Sequence, residues 1–215
     1  MGVVLVKIEW DLLLWWHLII LKAEFGKNSK YTYTQQSLST KENYFKGQKM
    51  QKLYLTFFYS GLSKFAPGTC GTAVALIPAF LVLRYLSVET LFLLSFLIFF
   101  ISIKIIDDYE RKTATHDSGM IVIDEVAGLF LTASLIAWVS NSLFSLALAF
   151  VLFRLFDIAK PSIIGKVDKN VKGGLGVMGD DMLAGLFAGL LGAIIYGIGL
   201  KFNLLGWDIA LEKLF

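Results

Sequence analysis

Charged residues are scarce in this chain. Lys, Arg, Asp and Glu make up 17% of the 215 residues, whereas hydrophobic residues make up 56%, and the mean hydropathy is +0.68. A typical soluble domain is about 25% charged, and it could not keep this much apolar surface away from water. The composition therefore excludes an ordinary soluble domain and predicts an all-α fold, a polytopic membrane helical bundle.

Cysteine is scarce and the net charge is low. The single Cys70 excludes an internal disulfide and a Cys-rich metal site. A net charge of +3 gives no sign of an affinity for nucleic acid, so no nucleic-acid partner is expected. The distribution of charge along the chain is more informative than its sum. No sequence feature indicates an oligomeric state.

The N-terminal extension, residues 1–49, differs from the rest of the chain. Its apolar patch at residues 12–21 is about half the ~20 residues that a membrane-spanning helix needs, and a polar, Lys-rich linker follows it. No small-residue cleavage site follows the patch, so a signal peptide is not expected. Two interpretations stay open: the functional chain starts at Met50, or the extension is a peripheral anchor. Residues 50–215 are predicted to form the membrane-embedded domain.

Five apolar segments follow the extension. They cover Thr72–Leu83, Tyr85–Ile103, Ile121–Val139, Ser142–Ile158 and Met182–Leu200. The third and fourth segments would be too long as one membrane span, so two helices that meet at Ser140-Asn141 are predicted. With five spans, the segments 104–125 and 154–181 lie on one face. That face carries most of the Lys and Arg residues and is therefore predicted to be cytoplasmic.

Three charged clusters lie on this face. The first contains Asp107, Asp108, His116, Asp117, Asp124 and Glu125; the second Arg154, Asp157 and Lys160; the third Asp168, the glycine-rich stretch Lys172–Gly176, Asp180 and Asp181. Asp180 and Asp181 are predicted to open the last helix. A spacing of three places the charges of the second cluster near one helical face. Carboxylates inside the ends of membrane helices are costly and are usually functional.

The residue types in these clusters indicate phosphoryl chemistry on a lipid head group. Oxygen ligands without cysteine suit Mg²⁺, or alternatively Mn²⁺. Arginine can bind a phosphate through two parallel hydrogen bonds. The glycines Gly174 and Gly176 would let backbone N–H groups approach a phosphate closely. The expected partners are the membrane and an anionic phospholipid substrate.

Several of these residues also have a simpler explanation. Asp107 and Asp108 are predicted to lie in a solvated loop, and Asp124 and Glu125 would complement a helix dipole. Lysines 166, 169 and 172 would form a basic patch that contacts anionic lipid. The glycines of the last apolar segment, Gly185, Gly189 and Gly192, are predicted to permit close helix packing.

Four ordered blocks between about residues 55 and 200 resemble one known family. The blocks are Gly61–Gly71 (GLSKFAPGTCG), His116–Glu125 (HDSGMIVIDE), Arg154–Pro161 (RLFDIAKP) and Gly173–Gly185 (GGLGVMGDDMLAG). They resemble the phosphatidylglycerophosphatase A family, bacterial membrane enzymes that dephosphorylate phosphatidylglycerophosphate to phosphatidylglycerol. The resemblance implies Mg²⁺ dependence, a role in anionic phospholipid synthesis and a location in the cytoplasmic membrane.

On this basis we assign hypothetical roles to the charged residues. Metal ligands are expected to be Asp124, Glu125, Asp180 and Asp181, with Asp157 nearby as a further catalytic residue. The phosphate is expected to bind Lys64, Arg154, Lys160, Gly174 and Gly176. Either His116 or Asp117 would serve as general acid or base. Direct attack by water and an aspartyl-phosphate on Asp117 or Asp124 are both compatible with the sequence.

Three other functions are compatible with a membrane protein of this composition. A small membrane transporter would also place charges among its helices, but transporters bind near the bilayer midplane. A non-catalytic assembly protein would not need so many carboxylates at costly positions. A phosphatase acting on a different lipid phosphate is the nearest alternative, and only a comparison of substrates separates it.

Overall fold

The computed structural model describes residues 46–115, 118–161 and 163–202. Within these ranges the chain is helical and has no strand, as predicted. After a helical segment that ends at residue 55 and a 3-10 turn at Ser60–Leu62 there are six α-helices: α1 (Pro67–Tyr85), α2 (Val88–Thr113), α3 (Ile123–Ala137), α4 (Leu143–Ala159), α5 (Ile163–Asn170) and α6 (Gly174–Lys201). The apolar patch at residues 12–21, which was predicted as a possible anchor, lies outside the described residues, as does the rest of the extension up to residue 45.

The five predicted apolar segments correspond to five of these helices, namely α1, α2, α3, α4 and α6. Three of them, α1, α2 and α6, have the length and composition of a membrane span. Helices α3 and α4 have 15 and 17 residues. At 1.5 Å per residue these are roughly 22 and 26 Å long, less than a hydrocarbon core of about 30 Å. The structure therefore supports three spans by length and leaves α3 and α4 shorter than a full crossing.

The predicted break between α3 and α4 is confirmed. Helix α3 ends at Ala137, and α4 begins after Ser142 with a capping box, in which the side chain of Ser142 accepts from the Ser145 N–H at 3.1 Å. Asn141 fills the turn, and its Nδ2 donates to the carbonyl of Leu83 at 2.9 Å. Serine and asparagine are favoured at such positions because their side chains satisfy backbone groups that the helix leaves unpaired.

Helix α3 is the centre of the helical bundle, since 13 of its 15 residues are buried. It packs directly on α6: a Cβ at Gly185 would lie 2.4 Å from the carbonyl oxygen of Gly128. At Gly189 and Gly192 a Cβ would meet side chains of α3 at 2.7 and 2.2 Å. The prediction that the glycines of the last helix permit close packing is confirmed most directly at Gly185, where a side chain would meet the main chain of α3. At Gly189 and Gly192 the neighbouring side chains of α3 would have to move.

The prediction of a solvated loop at Asp107-Asp108 is wrong. Helix α2 continues to Thr113, and within its last turns Arg111 forms an ion pair with Asp108. The oxygen Oδ1 of Asp107 accepts the N–H of Gly174 at 2.6 Å, so it satisfies a free N–H at the start of α6. Charged residues three apart support a solvated helical end, and basic residues in the last turn complement its dipole. The helix therefore extends into the polar segment.

Candidate active site

Four helices meet around one cavity of about 280 Å³. The start of α3, the end of α4, helix α5 and the start of α6 contribute its charged residues, and the turn Ala66–Gly68 at the start of α1 forms another wall. The charged lining residues are Asp124, Glu125, Arg154, Asp157, Lys160, Asp168, Asp180 and Asp181. The second cluster and parts of the first and third, which are far apart in the sequence, therefore form one site.

The first turn of α3 places Asp124 and Glu125 in this cavity. The apolar residues before them, Ile121 to Ile123, are buried, and the N–H of Val122 donates to the carbonyl of Leu55 at 3.0 Å. These contacts fix the start of α3. As a result Asp124 is only 8% exposed although it carries a carboxylate.

Arg154 joins the carboxylates of α3 and α4. Its Nη1 donates to Glu125 Oε1 at 3.1 Å and also to Asp157, one turn further along α4. The side chains of Arg154 and Asp157 are 14% and 12% exposed, so the ion pair is largely shielded from water. The predicted common face of Arg154 and Asp157 is confirmed, because the spacing of three brings them into direct contact.

Lys160, the residue after the end of α4, joins the carboxylates of α5 and α6. Its Nζ donates to Asp168 Oδ1 at 2.5 Å and to Asp180 Oδ2 at 2.7 Å. Burial by itself lowers the pKa of the Lys160 ammonium, but the hydrogen bonds to the two carboxylates outweigh burial and raise the pKa above its ordinary value. Lys160 is therefore a permanent cation at the cavity wall.

Asp180 and Asp181 lie in the second turn of α6 rather than at its start. They are 5% and 4% exposed. The carboxylate of Asp181 is close enough to Asp124, Asp157, Asp180 and Glu125 to interact electrostatically with all four. So many like charges around one buried carboxylate repel unless protons or a cation compensate them.

Among the described residues, no contact supports the roles assigned to five other residues predicted for the site. Lys64 is exposed and is not a lining residue. The N–H of Gly174 is bound to Asp107 at 2.6 Å, and Gly176 lines the cavity while its N–H donates to the carbonyl of Gly173 at 2.9 Å. His116 and Asp117 lie outside the described residues. The roles assigned to these five residues stay predictions.

Two parts of the site had no role in the sequence analysis. One is Asp168. Its helix α5 is too short for the spacing of apolar residues to indicate which face is buried, and the only sequence signal was that Asp168 follows Lys160 by eight residues. The other is the turn that contains Gly68, where a Cβ would lie 1.9 Å from Glu125 Oε1. A side chain at position 68 would displace the Glu125 carboxylate from its present place. Gly68 lies in the motif Gly61–Gly71, which the sequence analysis singled out without giving Gly68 a role.

Comparisons with known proteins identify the family of this chain. The sequence model of the family described as PgpA, phosphatidylglycerophosphatase A, matches residues 53–196, which include every charged residue of the cavity. The chain belongs to the phosphatidylglycerophosphatase A family. It is therefore an enzyme of the lipid phosphatase type, and the family assignment decides against the transporter and the assembly protein.

Three relatives show how far the similarity extends. Phosphatidylglycerophosphatase A of Escherichia coli K12 is 37% identical over 142 residues, which are 66% of this chain and 79% of the relative. The protein of the same name from Haemophilus influenzae is 36% identical over 131 residues, 61% of this chain and 79% of its own. A Bacteroides thetaiotaomicron protein, provisionally named a phosphatidylinositol-3-phosphatase, is 36% identical over 144 residues, 65% and 89% of the two chains. No solved structure matches the chain significantly.

Proposed function

We propose that this chain hydrolyses the phosphate monoester of phosphatidylglycerophosphate to give phosphatidylglycerol, in a Mg²⁺-dependent reaction at the cytoplasmic face of the membrane. The observation that carries the proposal is the combination of family membership with a cavity in which Arg154 and Lys160 stand among carboxylates. Cations bind the phosphate group, and carboxylates suit a hard metal ion.

The cavity residues fit Mg²⁺ by their chemistry. All candidate ligands are oxygens, from Asp124, Glu125, Asp180 and Asp181, and Mg²⁺ prefers oxygen ligands. The Oδ1 atom of Asp180 is buried and has no hydrogen-bond partner in the part of the chain that the structure describes. Among the same residues, no three Asp, Glu, His or Cys side chains are grouped closely enough to hold an ion as they stand. Binding would thus require side-chain rotations at Asp124, Glu125 or Asp181, while Asp180 could offer Oδ1 to the ion and keep Oδ2 on Lys160.

The basic residues would bind and orient the substrate phosphate. The Nε atom of Arg154 is buried without a hydrogen-bond partner within the described ranges, so a phosphate oxygen in the cavity would satisfy it. Lys160 stays charged and would donate to a second oxygen. When bound, Mg²⁺ would polarise the phosphoryl oxygens and neutralise their charge. Proton transfer is assigned to His116 or Asp117.

The proposed orientation rests on where the helices begin and end. The cavity is formed by the start of α1, α3 and α6 and by the end of α4, so the charged clusters belong to one end of the helical bundle. Excess Lys and Arg on this side favour the cytoplasm. In a cysteine-accessibility scan, positions near 116 and 168 should both be labelled from the cytoplasm. Labelling of the two positions from opposite sides would contradict the topology.

The activity is tested by phosphate release from phosphatidylglycerophosphate by the detergent-purified protein. We expect release with Mg²⁺, loss of release in EDTA, and recovery when Mg²⁺ or Mn²⁺ is added back. Full activity in EDTA would reject the metal site while leaving the phosphatase activity intact. No release under any condition would reject the substrate.

A second candidate substrate is a phosphoinositide, because the Bacteroides thetaiotaomicron relative has been given a phosphatidylinositol-3-phosphatase name. The same cavity chemistry would serve any lipid phosphate monoester. Parallel kcat/KM measurements on phosphatidylglycerophosphate and phosphatidylinositol 3-phosphate separate the two. We expect the first substrate to be preferred, and the reverse preference would assign the chain to phosphoinositide hydrolysis.

A further inference from the structure

Lys160 is held at the cavity wall by two carboxylates from two different helices. Asp180 belongs to α6 and its side chain is 7% exposed, whereas Asp168 belongs to α5 and is 31% exposed. Helix α5 also packs closely on the backbone of Lys160. The main chain at Gly165 lies so near the Lys160 carbonyl oxygen that a Cβ on Gly165 would be 2.8 Å from it. The position of Asp168 relative to Lys160 is thus set by backbone packing.

A lysine ammonium has three N–H donors. At Lys160 two of them are used, by Asp168 at 2.5 Å and by Asp180 at 2.7 Å. No third hydrogen bond from this nitrogen is present within the described ranges. Because the donors are arranged tetrahedrally, two fixed contacts also fix the direction of the third. Lys160, Asp168 and Asp180 all line the cavity.

We propose that Asp168 is a positioning residue of the phosphatase site: together with Asp180 it holds the Lys160 ammonium so that its remaining N–H is presented to a phosphate oxygen. The proposal rests on the proposed function, since it assumes that the cavity binds a phosphate. With Asp180 alone, the ammonium could turn about one contact on its flexible four-carbon stem. Its donor would then be ordered only when the substrate arrives, which weakens binding.

The kinetic test uses the full chain with Asp168→Ala, Asp168→Asn and the control Asn170→Ala. Asn170 lies on the same helix, is exposed, and donates only to the carbonyl of Lys166. In Asp168→Ala we expect KM for phosphatidylglycerophosphate and Ki for inorganic phosphate to rise about tenfold, with kcat changed less than about threefold. Asp168→Asn should fall between this variant and the wild type, and Asn170→Ala should match the wild type.

A second comparison asks whether Asp168 acts through Lys160. In a Lys160→Ala background the further change Asp168→Ala should leave KM unchanged, because the residue that it positions is already gone. Additive effects in the double variant would overturn the proposal, as would an unchanged KM in Asp168→Ala alone. If the alanine variant is too unstable to purify, the asparagine variant decides by the same criteria.

A readout independent of turnover separates this proposal from the proposed function. Acylation needs the neutral amine, and the two carboxylates favour the protonated form of Lys160. Lys160 should therefore react slowly with a small amine-acylating reagent in the wild type and in Asn170→Ala, and at least about fivefold faster in Asp168→Ala, as measured at that residue by mass spectrometry. Faster labelling together with no phosphate release would reject the proposed substrate but keep the Asp168–Lys160 contact. Unchanged labelling would reject the contact itself.

Discussion

The dipeptide Asp-Asp occurs twice in the described helices, with opposite outcomes. Asp107-Asp108 lies near the end of α2, where Asp108 is exposed and pairs with Arg111. Asp180-Asp181 lies near the start of α6, and both residues are at most 5% exposed. The difference comes from the tertiary surroundings, since Asp108 faces solvent beside Arg111 whereas Asp181 lies against the first turn of α3. Burial, and not the dipeptide, is what makes an acidic pair a candidate for catalysis.

The arginines of the two regions differ in the same way. Arg111 and Asp108 are three residues apart, as are Arg154 and Asp157. The first two side chains are 75% and 54% exposed, whereas the second two are 14% and 12% exposed. An exposed ion pair contributes about 0–1 kcal/mol, while removing one partner of a buried pair costs about 3–5 kcal/mol. Substitutions should therefore have very different effects in the two regions.

The largest effect is expected from Asp181→Asn and Asp124→Asn. Each change removes a buried charge from the proposed metal site, so kcat/KM should fall about 100- to 1,000-fold. The measurement is phosphate release per mole of folded protein, with Asp108→Asn as the matched control from the exposed region. Wild-type rates in both site variants would remove the distinction between the two acidic pairs.

Arg154→Lys should have the next largest effect. Lysine keeps the charge but lacks the planar group that contacts Glu125 and Asp157 together, and it cannot bind a phosphate through two parallel bonds. We expect kcat/KM to fall about 10- to 100-fold. Arg111→Lys is the matched substitution on α2 and should have no measurable effect. Equal losses in the two variants would show that exposure does not decide the importance of these arginines.

A smaller effect is expected from Asp107→Ala. The change removes the acceptor for the Gly174 N–H, which is equivalent to losing a helix cap and costs about 1 kcal/mol of unfolding free energy. Thermal unfolding in detergent should show a lower Tm, with partial recovery in Asp107→Asn, which keeps an acceptor oxygen. A Tm equal to that of the wild type would mean that this contact does not stabilise α6.

The smallest effect is expected from Asp108→Ala. Its ion pair with Arg111 is exposed, so the unfolding free energy should change by less than about 0.5 kcal/mol. Activity and Tm should both match those of the wild type. A clear loss of activity would give the end of α2 a function that its exposure does not indicate.

Much of the fold could be predicted because apolar runs and turn residues are local signals. The break at Ser140-Asn141 and the all-helical fold are examples. The extension of α2 to Thr113 could not be read from polarity, since solvated helices and loops share the same composition. The start of α6 at Gly174 also differs from the prediction. A glycine-rich stretch usually indicates a loop, but here the missing side chain lets Gly174 pack closely against the backbone of Ile103.

The sequence predicted most of the residues that line the candidate site, but not which of them contact one another. Asp124 and Asp181 stand next to apolar runs, where burying a carboxylate costs free energy. That cost indicated that they have a function. The link from Lys160 to Asp168 depends on how α5 folds back over the end of α4, which sequence spacing does not reveal. In the same way, the contact between Gly68 and Glu125 brings together residues that are distant in the chain.

The glycine contact between α3 and α6 has a consequence for how the enzyme responds to its bilayer. Main chain lies against main chain where Gly185 meets Gly128, so no flexible side chain sets the distance between Asp124 and Asp181. A change in bilayer thickness is accommodated mostly by the tilt of lipid-facing helices. The spacing of the acidic residues should therefore be preserved, and turnover should depend little on the acyl-chain length of the host lipid.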